Sequence, residues 1–170
     1  ELPLESRLDI HQIKASIQAH AVTQAWIPAR LLNAVLEADI AYFDACNSLK
    51  RIVTTGEALI LSIGLKNYLQ QAGVSLLNYY GPTETHVVTA LEVTAANIRT
   101  QPPIGTVLDN CQICLMNDEG QPAFKGLPGE IWVTGDPVAL GYHNEDALNA
   151  AVFINQEGKR WYKTGDWGYV

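Results

Sequence analysis

No stretch of this 170-residue chain reaches the ~18 consecutive apolar residues that a membrane-crossing helix needs. Glu1-Leu2-Pro3-Leu4-Glu5 lacks both the basic start and the apolar core of a secretory leader. There is no basic block either. Eleven Lys and Arg against eighteen Asp and Glu give a formal charge of −7, which disfavours nucleic-acid binding through phosphate contacts. Cysteine is scarce. Cys46, Cys111 and Cys114 cannot all pair with one another, so free thiols in the reducing cytoplasm are the simplest reading. Cys111 and Cys114 have no second Cys pair, and strand residues three apart face opposite ways. That argues against a zinc or redox site. His11, His20, His86 and His143 are scattered, and no Ser/His/Asp set has a recognisable nucleophile turn. Neither repeats nor low-complexity tracts occur.

What is present is a core. Hydrophobic residues make up 48% of the chain and charged residues 17%. The apolar residues are spread throughout, which excludes disorder. The chain lacks an initiator Met and stops at Val170 inside what reads as a strand, so a piece of a longer protein is expected.

Asp9 with Gln12 three residues later predicts a capping box. Ile10, Ile13, Ile17 and Ala21 follow at helical spacing, with the helix ending near His20. Val22 to Ile27 reads as a buried strand, and Pro28 suits the first position of a second helix, buried through Leu31, Leu32, Val35 and Leu36. Leu49 to Thr54 is the next strand. Leu61, Leu65, Leu69 and Ala72 stripe a third helix closed by Gly73, and Val74 to Tyr79 is the third strand. This α-β-α-β-α-β order predicts an α/β fold with a parallel sheet covered by helices over residues 1–100. Gln101-Pro102-Pro103 marks a break. Residues 101–170 then alternate short strands (Val107, Cys111 to Met116, Ile131 to Thr134, Arg160 to Lys163) with turns such as Asn117-Asp118-Glu119-Gly120. With one helix near Glu145 to Phe153, this half reads as a small antiparallel or barrel-like β unit, truncated at its C-terminal end.

Asn78-Tyr79-Tyr80-Gly81-Pro82-Thr83-Glu84-Thr85 lies at the C-terminal end of a predicted parallel strand, where open α/β sheets bind ligands. It offers an aromatic face, a backbone bend free of side chains, a hydroxyl and a carboxylate. Those suit base stacking, close approach to phosphate and a hard oxygen ligand for Mg²⁺. On spacing alone an ordinary turn is the simpler reading.

Three further segments stand in order with it: Thr55-Gly56-Glu57-Ala58-Leu59, Gly129-Glu130-Ile131-Trp132-Val133 through Ala139-Leu140-Gly141-Tyr142, and Tyr162-Lys163-Thr164-Gly165-Asp166. Together with Tyr80-Gly81-Pro82-Thr83-Glu84 they resemble the core motifs of the AMP-forming adenylate-forming superfamily. The Pro-Thr-Glu-Thr form is most similar to the adenylation domains of non-ribosomal peptide synthetases. The resemblance covers essentially all of the chain after about Ala21.

The resemblance implies roles for individual residues. Tyr80 would lie against adenine, with Asn78 and the backbone near Tyr79 bonding its edge, and Gly56 and Glu57 on the other side of the base. Gly81 would let the backbone approach the nucleotide, Thr83 would reach the phosphates, Glu84 would hold Mg²⁺ and Asp166 would bind the ribose hydroxyls. Trp26, Val53, Thr55, Tyr79, Val87 and Val88 fall on acid-pocket positions and would suit a small or medium apolar side chain. For Trp26 and Val53, core packing is an equal alternative.

Thr55 replaces the first Gly of the family's Gly-Gly-Glu, and Leu140 replaces its usual Arg. The Gly-rich phosphate loop with its Lys, the Asp that binds a substrate amine and the C-terminal subdomain with its catalytic Lys are not in these 170 residues. The implied function is activation of an amino acid or related carboxylic acid with ATP to an acyl-adenylate. Transfer to a phosphopantetheine thiol on a carrier-protein domain would follow, with condensation domains as further partners. The chain alone is expected to be inactive. A degenerate scaffold and an acyl-CoA or aryl-acid ligase are the alternatives.

Overall fold

A computed structural model describes residues 9–39 and 41–170. The N-terminal segment 1–5, read above as lacking leader character, lies outside them. The chain divides into two compact units: residues 1–79 with 90–105, and residues 80–89 with 106–170.

The first unit begins with α1 (Ile10–Ala19). The Asp9 carboxylate accepts from the amides of His11 and Gln12, satisfying two of the donors that a helix start leaves open. The predicted capping box is half realised. Gln12 does not reach back to the Asp9 amide but donates its side-chain N–H to the other oxygen of the same carboxylate, at 3.2 Å. Then come β1 (Gln24–Trp26), α2 (Ala29–Ala38), β2 (Arg51–Thr54), α3 (Ile63–Gln71) and β3 (Ser75–Tyr80). Pro28 stands just before α2 as its N-cap. Ser62 caps α3 by accepting from the Leu65 amide, at 3.1 Å. β1, β2 and β3 are parallel neighbours. A fourth strand of this sheet, β4 (Thr89–Val93), was not foreseen from the sequence pattern.

Registry fixes which side chains share a face. Ile52 and Leu76 sit opposite each other and join the helical core with Leu32, Leu36, Leu65 and Leu69. Strand side chains alternate. Trp26, Val53 and Leu77, which form one cross-strand row, therefore turn to the other face. Leu65 is fully enclosed. Replacing it with Ala should destabilise the protein by roughly 2–5 kcal/mol, through lost burial plus the cavity left behind. Urea unfolding of Leu65→Ala against the parent protein checks this.

At the start of the second unit's 106–170 stretch is β5 (Thr106–Val107). A separate antiparallel sheet of this unit runs in the order β6-β7-β9-β8, from β6 (Cys111–Met116), β7 (Gly129–Gly135), β8 (Phe153–Gln156) and β9 (Lys159–Gly168), with α4 (Asp146–Val152) before β8. The barrel-like closure expected for this half is absent among the described residues. β6 and β8 stand at opposite ends of the strand order and do not pair with each other, so the sheet is open. The helix expected to reach Phe153 stops at Val152, and the chain extends at once into β8. Glu157 and Gly158, both at positive φ, turn it tightly back into β9. Asn117 closes the predicted turn: its side-chain oxygen accepts from the amides of Glu119 and Gln121.

All three cysteines are free. No helix among the described residues is long and apolar enough to cross a membrane.

Candidate functional site

The first unit gathers candidate residues at the C-terminal ends of its parallel strands. Trp26 ends β1, Thr55-Gly56-Glu57 follows β2, and Asn78 and Tyr79 lie near the C-terminal end of β3. The rings of Trp26 and Tyr79 meet edge to face, 5.7 Å apart, a favourable arrangement of aromatic quadrupoles. Trp26 is 58% exposed, an unusual state for so large a ring, whereas Val53 is enclosed at 1%. Leu77 shares their row and face, and the sequence reading missed it. The period of two through Leu77 and Tyr79 is the signal that finds it. Glu57 is engaged locally, its carboxylate accepting from the Arg30 amide at 2.8 Å. That amide lies in the first turn of α2, whose N-cap Pro28 offers no side-chain cap. Asn78 is buried on the helical side and donates to the Pro103 carbonyl at 3.2 Å.

The second unit holds the Gly-Pro-Thr-Glu turn. The Val88 amide donates to the Tyr80 carbonyl at 2.8 Å, closing the loop, and the Thr85 amide donates to the Pro82 carbonyl. Thr85 is wholly buried and its hydroxyl donates to the His86 carbonyl at 3.1 Å. This interior leaves Thr83 exposed and Val87 half-buried, while Val88 is enclosed.

Tyr80 and Asp166, 86 residues apart, are joined directly: the Tyr80 hydroxyl donates to Asp166 Oδ2 at 2.8 Å. A bulge presents Asp166. Opposite Glu130 to Trp132 of β7, β9 runs from Trp167 to Lys163, two residues more than the ladder needs. The surplus falls at Thr164-Gly165-Asp166, with Gly165 at φ +75°. Glu130 shapes this bulge. Its carboxylate accepts from the Gly165 amide at 3.0 Å and from the Trp132 indole at 2.7 Å. Thr164 donates to the Ile131 carbonyl and accepts from the Asp166 amide. Burial raises the Tyr80 phenol above its ordinary pKa, and the Asp166 bond pushes the same way. The phenol therefore stays a neutral donor.

Glu84 meets Tyr142. The Tyr142 hydroxyl donates to Glu84 Oε1 at 2.5 Å, and the Ala139 amide donates to the Glu84 carbonyl at 2.7 Å. Chiefly because of the Tyr142 bond, the Glu84 carboxyl is held below the usual carboxylate range, so it is ionised at neutral pH. Tyr142 is raised by the same bond, and burial raises Tyr162, which lies against the pair.

An α/β sheet with polar and aromatic residues at the C-terminal ends of parallel strands is a ligand-binding arrangement. The AMP-binding enzyme family matches residues 2–143, and the chain belongs to that family. It is 35% identical over 168 residues to tyrocidine synthase 2 of Brevibacillus parabrevis, covering 95% of this chain but 5% of that protein. Among solved structures it matches the Klebsiella oxytoca NpsA N-terminal subdomain in complex with 3-hydroxybenzoyl-AMSN. There the TM-score is 0.77 at 23% identity, over 98% of this chain and 42% of the other. An artificially fused adenylation–PCP di-domain, NpsA-ThdA, matches with TM-score 0.80 at 23% identity, over 99% and 31%. The chain thus spans only a small part of the curated synthetase it resembles.

Proposed function

We propose that these residues belong to an adenylation domain of a non-ribosomal peptide synthetase, working in the cytoplasm. That domain joins a carboxylic acid to ATP as an acyl-adenylate and hands it to a carrier domain's phosphopantetheine thiol. The observation that best supports this is the Tyr80–Asp166 hydrogen bond. It ties the Tyr-Gly-Pro-Thr-Glu turn to the Thr-Gly-Asp bulge within the second unit, in a chain of the AMP-binding family. Similarity to a peptide synthetase and to an adenylation–PCP fusion supports the carrier partner.

In this reading Tyr80 and Gly81 of the second unit serve the adenine, and Gly56, Glu57, Asn78 and Tyr79 of the first unit are further nucleotide-binding candidates. Asp166 accepts from the ribose hydroxyls. The substrate carboxylate attacks the α-phosphorus, the bond to the bridging oxygen breaks, and pyrophosphate leaves. Thr83 is the exposed hydroxyl that meets the phosphates.

The donor set fits a Mg²⁺ ion. Glu84 is ionised, and its carboxylate has more lone-pair sites than Tyr142 uses. Among the described residues no cluster of three His, Cys, Asp or Glu could form a complete protein cage. Mg²⁺ typically takes one or two carboxylates plus substrate phosphates. When bound it would neutralise charge on the phosphates. Positioning by the protein supplies the rest.

The first unit's Trp26, Val53, Thr55 and Tyr79 are the residues proposed to meet the acid side chain. Trp26→Ala should shift selectivity toward bulkier acids by roughly 10- to 100-fold in relative kcat/KM, since a pocket contact is worth ~1–3 kcal/mol. ATP–pyrophosphate exchange by the complete domain, against a panel of amino, hydroxy and keto acids, tests both claims. Strong exchange with one apolar acid supports the reading. No exchange with any acid, in a folded domain that keeps its phosphate-loop and C-terminal lysines, would establish a degenerate scaffold instead. The 170 residues alone are expected to give no exchange.

A further inference from the structure

The reading of Glu84 as the metal-binding carboxylate leaves open what holds a flexible, half-exposed side chain in place. The second unit supplies a device for this that the motifs do not name. Ala139 fixes the Glu84 backbone by donating to its carbonyl at 2.7 Å. Three residues on, the Tyr142 hydroxyl donates to Glu84 Oε1 at 2.5 Å. Tyr142 is itself fixed at both ends. Its amide donates to Asn149 Oδ1 at 2.7 Å, and Asn149 Nδ2 donates to its carbonyl at 2.8 Å. Its ring packs edge-on against Phe153 at 5.7 Å. Arg160 donates to the intervening Leu140 carbonyl at 2.6 Å, so the 139–142 segment is tied down from β9 as well.

We propose that Tyr142, locked by Asn149 of α4, is a positioning residue that presets the Glu84 carboxylate for the divalent cation. One Glu84 oxygen accepts from Tyr142, Tyr162 lies against the same carboxylate, and further acceptor sites are left for the cation. An outer hydrogen bond of this kind orients a metal-binding carboxylate without touching the metal. This inference rests on the metal role proposed for Glu84.

The test measures Mn²⁺ binding by electron paramagnetic resonance in the complete adenylation domain, with a non-hydrolysable ATP analogue. AMP affinity without metal is measured by calorimetry. Tyr142→Phe keeps the ring and removes only the hydroxyl. It should weaken Mn²⁺ binding about 10-fold while leaving AMP affinity unchanged. Asn149→Ala, which keeps the hydroxyl but frees the segment, should weaken Mn²⁺ binding in the same direction. If Glu84→Gln weakens Mn²⁺ binding but Tyr142→Phe does not, the positioning role is overturned and the metal role stands. A parallel loss of AMP affinity in Tyr142→Phe also overturns it, because that marks general structural damage. If Glu84→Gln leaves Mn²⁺ binding unchanged, the metal role fails and the positioning role fails with it.

Discussion

Glu84→Gln in the complete adenylation domain is expected to lower the rate of ATP–pyrophosphate exchange by about 10²–10³-fold, the usual scale for losing one preorganised electrostatic contact. The substitution is nearly isosteric. Gln can still accept from the Tyr142 hydroxyl through its amide oxygen, so the hydrogen bond at Glu84 need not be lost. The Ala139 contact is to the Glu84 backbone and is unaffected. What disappears is the negative charge, and with it the hard anionic ligand that Mg²⁺ prefers. Folding stability should change little, because the side chain is only half-buried. The informative comparison sets the exchange rate against the unfolding midpoint. A large fall in the first with a small change in the second supports the metal role, whereas exchange within a few-fold of the parent sinks it.

Gly81→Ala should be the most disruptive single methyl in the motif. A Cβ at this position would stand 1.7 Å from the His86 carbonyl oxygen and 2.9 Å from the Val87 Cα. Both obstacles are backbone atoms, and no rotamer change moves them. The loop they belong to is already closed by the Val88–Tyr80 bond and the buried Thr85 hydroxyl. His86 holds a left-handed conformation at φ +54°, which leaves the segment little freedom to yield. Relief requires opening the turn. The expected cost is roughly 3 kcal/mol of stability, at the upper end of overpacking effects, together with loss of measurable exchange. Urea unfolding and the exchange assay on one preparation check both. Near-parental values in both would mean that the loop adapts far more readily than its contacts imply.

Much of the first unit is legible in the amino-acid order because its signals are local. Asp9 and Pro28 mark helix starts, Gly73 marks an end, and the apolar stripes of α2 and α3 repeat at helical spacing. β8 is hidden for an equally local reason. Leu148, Val152 and Phe153 continue a helical pattern, but Phe153 pairs with Tyr162 in the sheet, so tertiary pairing overrides the period. The candidate site divides in the same way. Tyr80, Glu84 and Asp166 stand in recognisable motifs. Tyr142 and Glu130 lie in recognisable segments too, but their tasks depend on partners 58 and 35 residues away. No periodicity encodes such pairings. Asn149 has no motif at all, and only the folded chain reveals it.

The two faces of the first sheet have separate duties. Ile52 and Leu76 point into the helices and hold the unit together. Trp26, Leu77 and Tyr79 belong to the reverse side, and none of them is part of that core. Because strand side chains alternate, adjacent positions in the sequence answer to different selective pressures. Exchanges at every second residue of β1 and β3 are therefore expected to leave the core of this unit in place. A combinatorial library restricted to those three positions should return mostly folded members.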